Sequence, residues 1–66
     1  MIYQKTLNKH VLVGTKNGSV IVGFVIEIYD NHMIIIERDK NEIIMLLDSI
    51  EFVRIYHNNI VSTQEQ

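Results

Sequence analysis

Asn17-Gly18-Ser19-Val20-Ile21-Val22-Gly23-Phe24-Val25-Ile26-Glu27-Ile28-Tyr29-Asp30 is the stretch on which the fold turns. Asn-Gly between two β-rich runs is the strongest short hairpin signal, because a two-residue type I′ turn needs φ > 0 at both central residues. The reading is a tight turn at Asn17-Gly18 that joins a first strand over residues 10–15 to a second over 20–29. Gly23, inside the second strand, marks a sharp bend or the close approach of another backbone. A long strand, entered from a hairpin and bent near its middle, builds a small closed barrel.

Along that strand Val20, Val22, Phe24, Ile26 and Ile28 form a period-2 apolar face. The opposite face carries Ile21, Gly23, Val25, Glu27 and Tyr29 and is half apolar, so both faces need cover. Asp30-Asn31-His32 suits a tight turn. Met33 to Glu37 reads as a third strand, and the mixed-charge run Arg38-Asp39-Lys40-Asn41-Glu42 as a solvated loop. Ile43-Ile44-Met45-Leu46-Leu47 is continuously apolar, as in a strand covered on both faces. Asp48-Ser49 interrupts it, and Ile50 to Tyr56 is a fifth strand. Upstream, residues 2–8 fit two turns of helix with Tyr3 and Leu7 on one face, or an irregular arm. Residues 57–66 read as a flexible polar tail. The expected fold class is all-β: one domain over 1–66, a five-stranded small barrel with a short N-terminal helix or arm over 1–9.

A chain of 66 residues buries only about 60% of its unfolded surface, so its monomer should be marginal. It has no Cys to reinforce it by disulfide or thiolate metal site. At 47% hydrophobic it carries more apolar surface than so small a barrel can hide, and self-association is the simplest way to bury the rest. No Pro is present to blunt edge strands. The net charge of −2 provides no global basic field to attract nucleic acid. Met1 to His10 lacks the apolar core of a signal peptide, and no run approaches the ~20 apolar residues of a membrane helix. The expected location is cytoplasmic.

From about Val11 to Ile55 the chain resembles the Sm-like family, and within it the bacterial Hfq-like branch. The resemblance rests on Gly18, Gly23 and Asp30, with apolar residues at Ile28 and Met33, and above all on Gly23 to Asp30, Gly-Phe-Val-Ile-Glu-Ile-Tyr-Asp. It implies an Sm-like barrel whose Asp30 closes the turn between the second and third strands. It further implies a homo-oligomeric ring, a hexamer or heptamer, in which the fourth strand of one subunit pairs with the fifth of the next. Ile43, Ile44, Met45, Leu46, Phe52, Val53 and Ile55 are then the interface residues. Residues just after the Asp face the central pore in RNA-binding members, and an aromatic two positions on stacks on a base. Here that position is His32, with Tyr29 and Asn31 beside it. The Asn that follows the Met in other Sm proteins is Ile34 here. The second motif, Tyr-Lys-His or Arg-Gly-Asp/Asn in the family, is Leu46-Leu47-Asp48, without the basic residue or the imidazole.

His10, His32 and His57 lie 22 and 25 residues apart with no metal-ligand spacing, so they read as independent surface or turn residues and no metal or cofactor is expected. His32 is open to two readings, a pore-lining residue or an ordinary turn histidine. Asp48-Ser49 is the only adjacent pair with catalytic types, and at a strand junction it is a turn whose side chains bond the backbone. No enzyme is expected. The expected function is an Hfq-like ring that binds RNA or a small nucleotide at Tyr29, Asn31 and His32. The alternative is a homo-oligomeric scaffold or partner-binding protein that does not bind nucleic acid.

Overall fold

In a computed structural model, which describes residues 2–57, an N-terminal 3₁₀ helix (Ile2–Thr6) precedes five strands. These are β1 (His10–Thr15), β2 (Val20–Ile28), β3 (His32–Ile36), β4 (Glu42–Leu46) and β5 (Ile50–Ile55). A three-residue 3₁₀ turn, Leu47–Ser49, links β4 to β5. All-β is therefore the class, and each expected strand is present with ends shifted by at most one residue. The tail expected over 57–66 lies outside the described residues beyond His57, and so does Met1.

The strands form one antiparallel sheet in the order β4-β3-β2-β1-β5. β4 and β5 are its two edges, and hydrogen bonds do not close it. The sheet is nonetheless curled. Strands sit ~4.8 Å apart, so the edges of a flat five-stranded sheet lie roughly 19 Å from each other. Leu46 and Ile50 end those edges and are joined by only three residues, which span at most about 14 Å even when extended. One cluster of buried side chains drawn from all five strands fills the concave side: Val11, Val13, Val25, Met33, Ile35, Met45 and Ile50.

The first hairpin differs from the expected two-residue turn. Gly18 N–H donates to the Thr15 carbonyl (3.0 Å), and only Gly18, at φ +92°, is left-handed. That is a three-residue loop, Lys16-Asn17-Gly18, in which a type I turn is followed by one left-handed residue. Asn17 contributes its side chain instead, accepting from Thr15 Oγ1. The β3–β4 connection repeats the design. Lys40 N–H donates to the Glu37 carbonyl (2.9 Å), and Lys40 occupies the left-handed position at φ 78°.

The expected faces of β2 are also corrected. Gly23 and Val25 point into the core, whereas Val20 and Val22 are exposed. The pairing shifts between Val25 and Glu27, so Ile26 is the extra residue of a bulge. After it the phase inverts. Ile28 packs against the core and Glu27 faces out. Val20 to Ile28 is thus not one face but two, spliced at Ile26.

The N-terminal segment is shorter than two helical turns. Thr6 is buried and donates from Oγ1 to the Tyr3 carbonyl (2.6 Å), and Tyr3 packs against the core. Asn8, left-handed at φ 62°, then turns the chain so that Asn8 N–H donates to the Val25 carbonyl (2.8 Å). Val25 N–H donates back to the Lys9 carbonyl (3.0 Å). The arm is stapled to β2 beside its bulge.

Candidate functional site

The β2–β3 turn brings the three expected contact residues together. Tyr29 N–H donates to the His32 carbonyl (2.8 Å), which places the two residues side by side at the mouth of the turn. Their rings stack, with centroids 4.7 Å apart and planes 21° from parallel. Asn31 Oδ1 lies 2.7 Å from His32 Nδ1 and accepts its proton. The Tyr29 hydroxyl donates to Glu27 Oε1. That hydrogen bond, with the Coulombic effect of the same carboxylate, raises the Tyr29 phenol above its ordinary value. Tyr29 is 47% exposed and His32 half-buried, so the pair presents ring surface to solvent.

The turn is braced from below, where Leu47 N–H donates to the Asn31 carbonyl (3.0 Å). Ser49 Oγ donates to the Leu46 carbonyl (2.7 Å), so its hydroxyl serves the backbone of the Leu47–Ser49 turn. Leu46 stands directly opposite His32 in the β3–β4 register. At 57% exposed, it puts an apolar side chain on the outer surface beside His32.

The seven expected interface residues divide into two sets. Ile44 (67% exposed) and Leu46 on β4, with Phe52 (48% exposed) on β5, lie on the outer side. Met45 is a core residue of its own protomer, paired with Met33, and is not free to meet a neighbour through its side chain. Ile43, Val53 and Ile55 are half-buried and pack against the same core. Alternation in the strands makes this division, and a continuous apolar run conceals it.

A second concave feature is not visible in the sequence. Val22, Phe24 and Ile36 floor a groove of about 660 Å³, with His10 at one side and Arg38 and Lys40 at its rim. The His10 and Phe24 rings meet edge to face at 5.0 Å. The register pairs His10 with Phe24 and Phe24 with Ile36, which builds this row across three strands. No spacing within one strand signals it.

Among the described residues, no three His, Cys, Asp or Glu side chains come together in a way that could hold a metal ion. No helix among them is long and apolar enough to cross a membrane. Comparison with protein-family models, curated proteins and solved structures found no match to the chain.

Proposed function

We propose that the protein is an Sm-like ring-forming module that binds RNA or a small nucleotide through Tyr29, Asn31 and His32, without catalysing a reaction. The observation that carries this reading is the stacked Tyr29–His32 pair, fixed by Asn31 at a single turn and exposed to solvent. Flat, partly exposed aromatic surface is what single-stranded bases stack on, at ~1–3 kcal/mol per base. The strand order supports the assembly. A curled sheet whose edges are β4 and β5 has one strand to offer and one to receive in a head-to-tail contact between copies. Rotational closure of such a contact leaves few exposed edges. Ile44, Leu46 and Phe52 are the apolar side chains such a contact would cover.

One observation favours a second reading. Leu46, an apolar residue, stands opposite His32, and the chain is net acidic. A homo-oligomeric scaffold that binds no nucleic acid fits those facts.

Native mass spectrometry of the purified protein, with absorbance at 260 nm, reads the assembly and any co-purified ligand. Titration of a short labelled oligonucleotide at several salt concentrations then separates the two readings. Ring binding by stacking gives a shallow slope of log K against log salt, because few phosphates are neutralised. His32→Ala should remove most of the affinity and Lys40→Ala little. A steep slope with His32→Ala binding like wild type refutes the stacking site. No binding at all leaves the scaffold.

A further inference from the structure

Stacking between Tyr29 and His32 needs something to hold the phenol in place, since Tyr29 is nearly half exposed and no core residue confines it. The side chain that does so is Glu27, two residues earlier on β2. Past the Ile26 bulge, Glu27 faces outward and pairs with Ile34 in the register. Its Oε1 accepts the Tyr29 hydroxyl, and the Tyr29 ring lies on the imidazole. The imidazole is held in turn by Asn31. The contacts therefore run in series from Glu27 to Tyr29 to His32 to Asn31.

We infer that Glu27 is a positioning residue of this site, which anchors the far end of the Tyr29 ring so that phenol and imidazole form one platform. Without the bulge Glu27 would share the inward phase of Val25, so Ile26 is what delivers the carboxylate to the outer surface. The inference rests on the proposed nucleotide reading only for the platform's use, and the positioning can be measured in the free protein. Ligand chemistry follows from the same group. A carboxylate at the edge of the platform repels phosphate, so the platform takes the face of an uncharged base and keeps the sugar-phosphate backbone on the side away from Glu27.

Two substitutions separate position from charge. Glu27→Gln keeps an oxygen that accepts the Tyr29 hydroxyl and removes the charge, whereas Glu27→Ala removes both. Tyr29→Leu supplies the reference for a lost stack. In the free protein, the His32 ring-proton signals, shifted upfield by the Tyr29 ring in wild type, should stay near wild type in Glu27→Gln. In Glu27→Ala they should move at least half-way to their Tyr29→Leu positions. Spectrophotometric titration of the phenol should show Tyr29 lowered towards its ordinary value in both variants, which confirms that the carboxylate is the partner. With a fluorescently labelled six-nucleotide RNA as the probe, Glu27→Ala should bind about three- to tenfold more weakly as part of one stacking contact is lost. Glu27→Gln should bind at least as tightly as wild type.

His32 signals in Glu27→Ala identical to wild type overturn the positioning role. Equal tightening by both variants also overturns it, since Glu27 then acts by charge alone. Wild type that does not bind the RNA, with the His32 shifts responding as described, overturns the nucleotide reading and upholds the positioning.

Discussion

Replacing Gly23 by Ala tests the packing of the curled sheet at its tightest described point on β2. A Cβ there would sit 2.5 Å from Ile35 Cγ2 and 2.7 Å from the Ile36 carbonyl oxygen. Ile35 is fully buried, so its methyl has no free space to enter. The carbonyl belongs to β3, which is held at Ile36 by β2 on one side and β4 on the other. Relief requires moving a strand. Overpacking costs ~1–3 kcal/mol when side chains can adjust, and a backbone obstacle puts Gly23→Ala at about 3 kcal/mol. Total stability for a domain of this length is about 3–10 kcal/mol. Alanine should therefore remove about 30% or more of it, and Gly23→Val should leave the chain unfolded.

Gly14→Ala is the control, because its nominal clash is tighter. There the Cβ would meet the Phe52 ring at 2.2 Å. In the single protomer Phe52 is 48% exposed, however, and its ring, unlike the β3 backbone, can shift. The cost should stay near about 1 kcal/mol, at the low end of overpacking penalties. Ser19→Ala should be nearly silent, since Ser19 joins the turn through its backbone, N–H to Thr15 Oγ1 at 2.9 Å. Urea unfolding followed by far-ultraviolet circular dichroism gives the midpoints, at one protein concentration because association adds to apparent stability. A Gly14→Ala cost equal to or above that of Gly23→Ala would refute the reasoning.

Lys40→Gly should stabilise the protein by about 0.5–1 kcal/mol in the same assay, because a left-handed non-glycine residue costs ~1–2 kcal/mol and glycine's extra unfolded-state freedom returns part of that. A lower urea midpoint counts against it. Ile44→Lys should leave the protomer folded but reduce the native mass, since Ile44 is 67% exposed on the β4 edge and a lysine there blocks strand pairing. Val53 is unsuited to that test because it packs against the core. An unchanged mass for Ile44→Lys argues against β4 as a contact edge. The raised Tyr29 phenol stabilises the fold below its ordinary value near 10, and that contribution should be lost as pH rises through the higher folded value. A Glu27→Gln variant should show less of this alkaline loss in its melting curve.

What the sequence made legible is the alternation of strands and breaks. Turn residues at Asn17-Gly18, Asp30-Asn31 and Asp39-Lys40-Asn41 punctuate apolar runs, and hydrogen-bonded turns fall at those positions. Which side chains point inward was not legible along β2. Ile, Val and Phe occupy both faces there, so period 2 has no contrast to report, and one bulge residue inverts the phase without changing composition. The hairpin type failed for a related reason. Asn17-Gly18 is compatible with two loop lengths, and the neighbouring Thr15 decides between them by bonding Asn17 and Ser19. Tyr29, Asn31 and His32 were found together because they share one turn. Glu27 was overlooked because its outward direction depends on the bulge, and the groove around Phe24 because it depends on register across three strands.

The position of β5 has a kinetic consequence. β1–β2, β2–β3 and β3–β4 are hairpins that close over a few residues, whereas β1–β5 joins segments roughly 40 residues apart, with the entropic penalty of a long loop. Such non-local pairing is what slows folding in small β proteins. The meander of four strands is then expected to assemble first, with β5 docking onto it last. Until it does, the hydrogen-bonding groups of β1 from Val11 to Thr15 stand open along a second edge. Native-state hydrogen exchange should accordingly find the amides that β1 and β5 share exchanging through a partial opening, at lower free energy than those between β2 and β3.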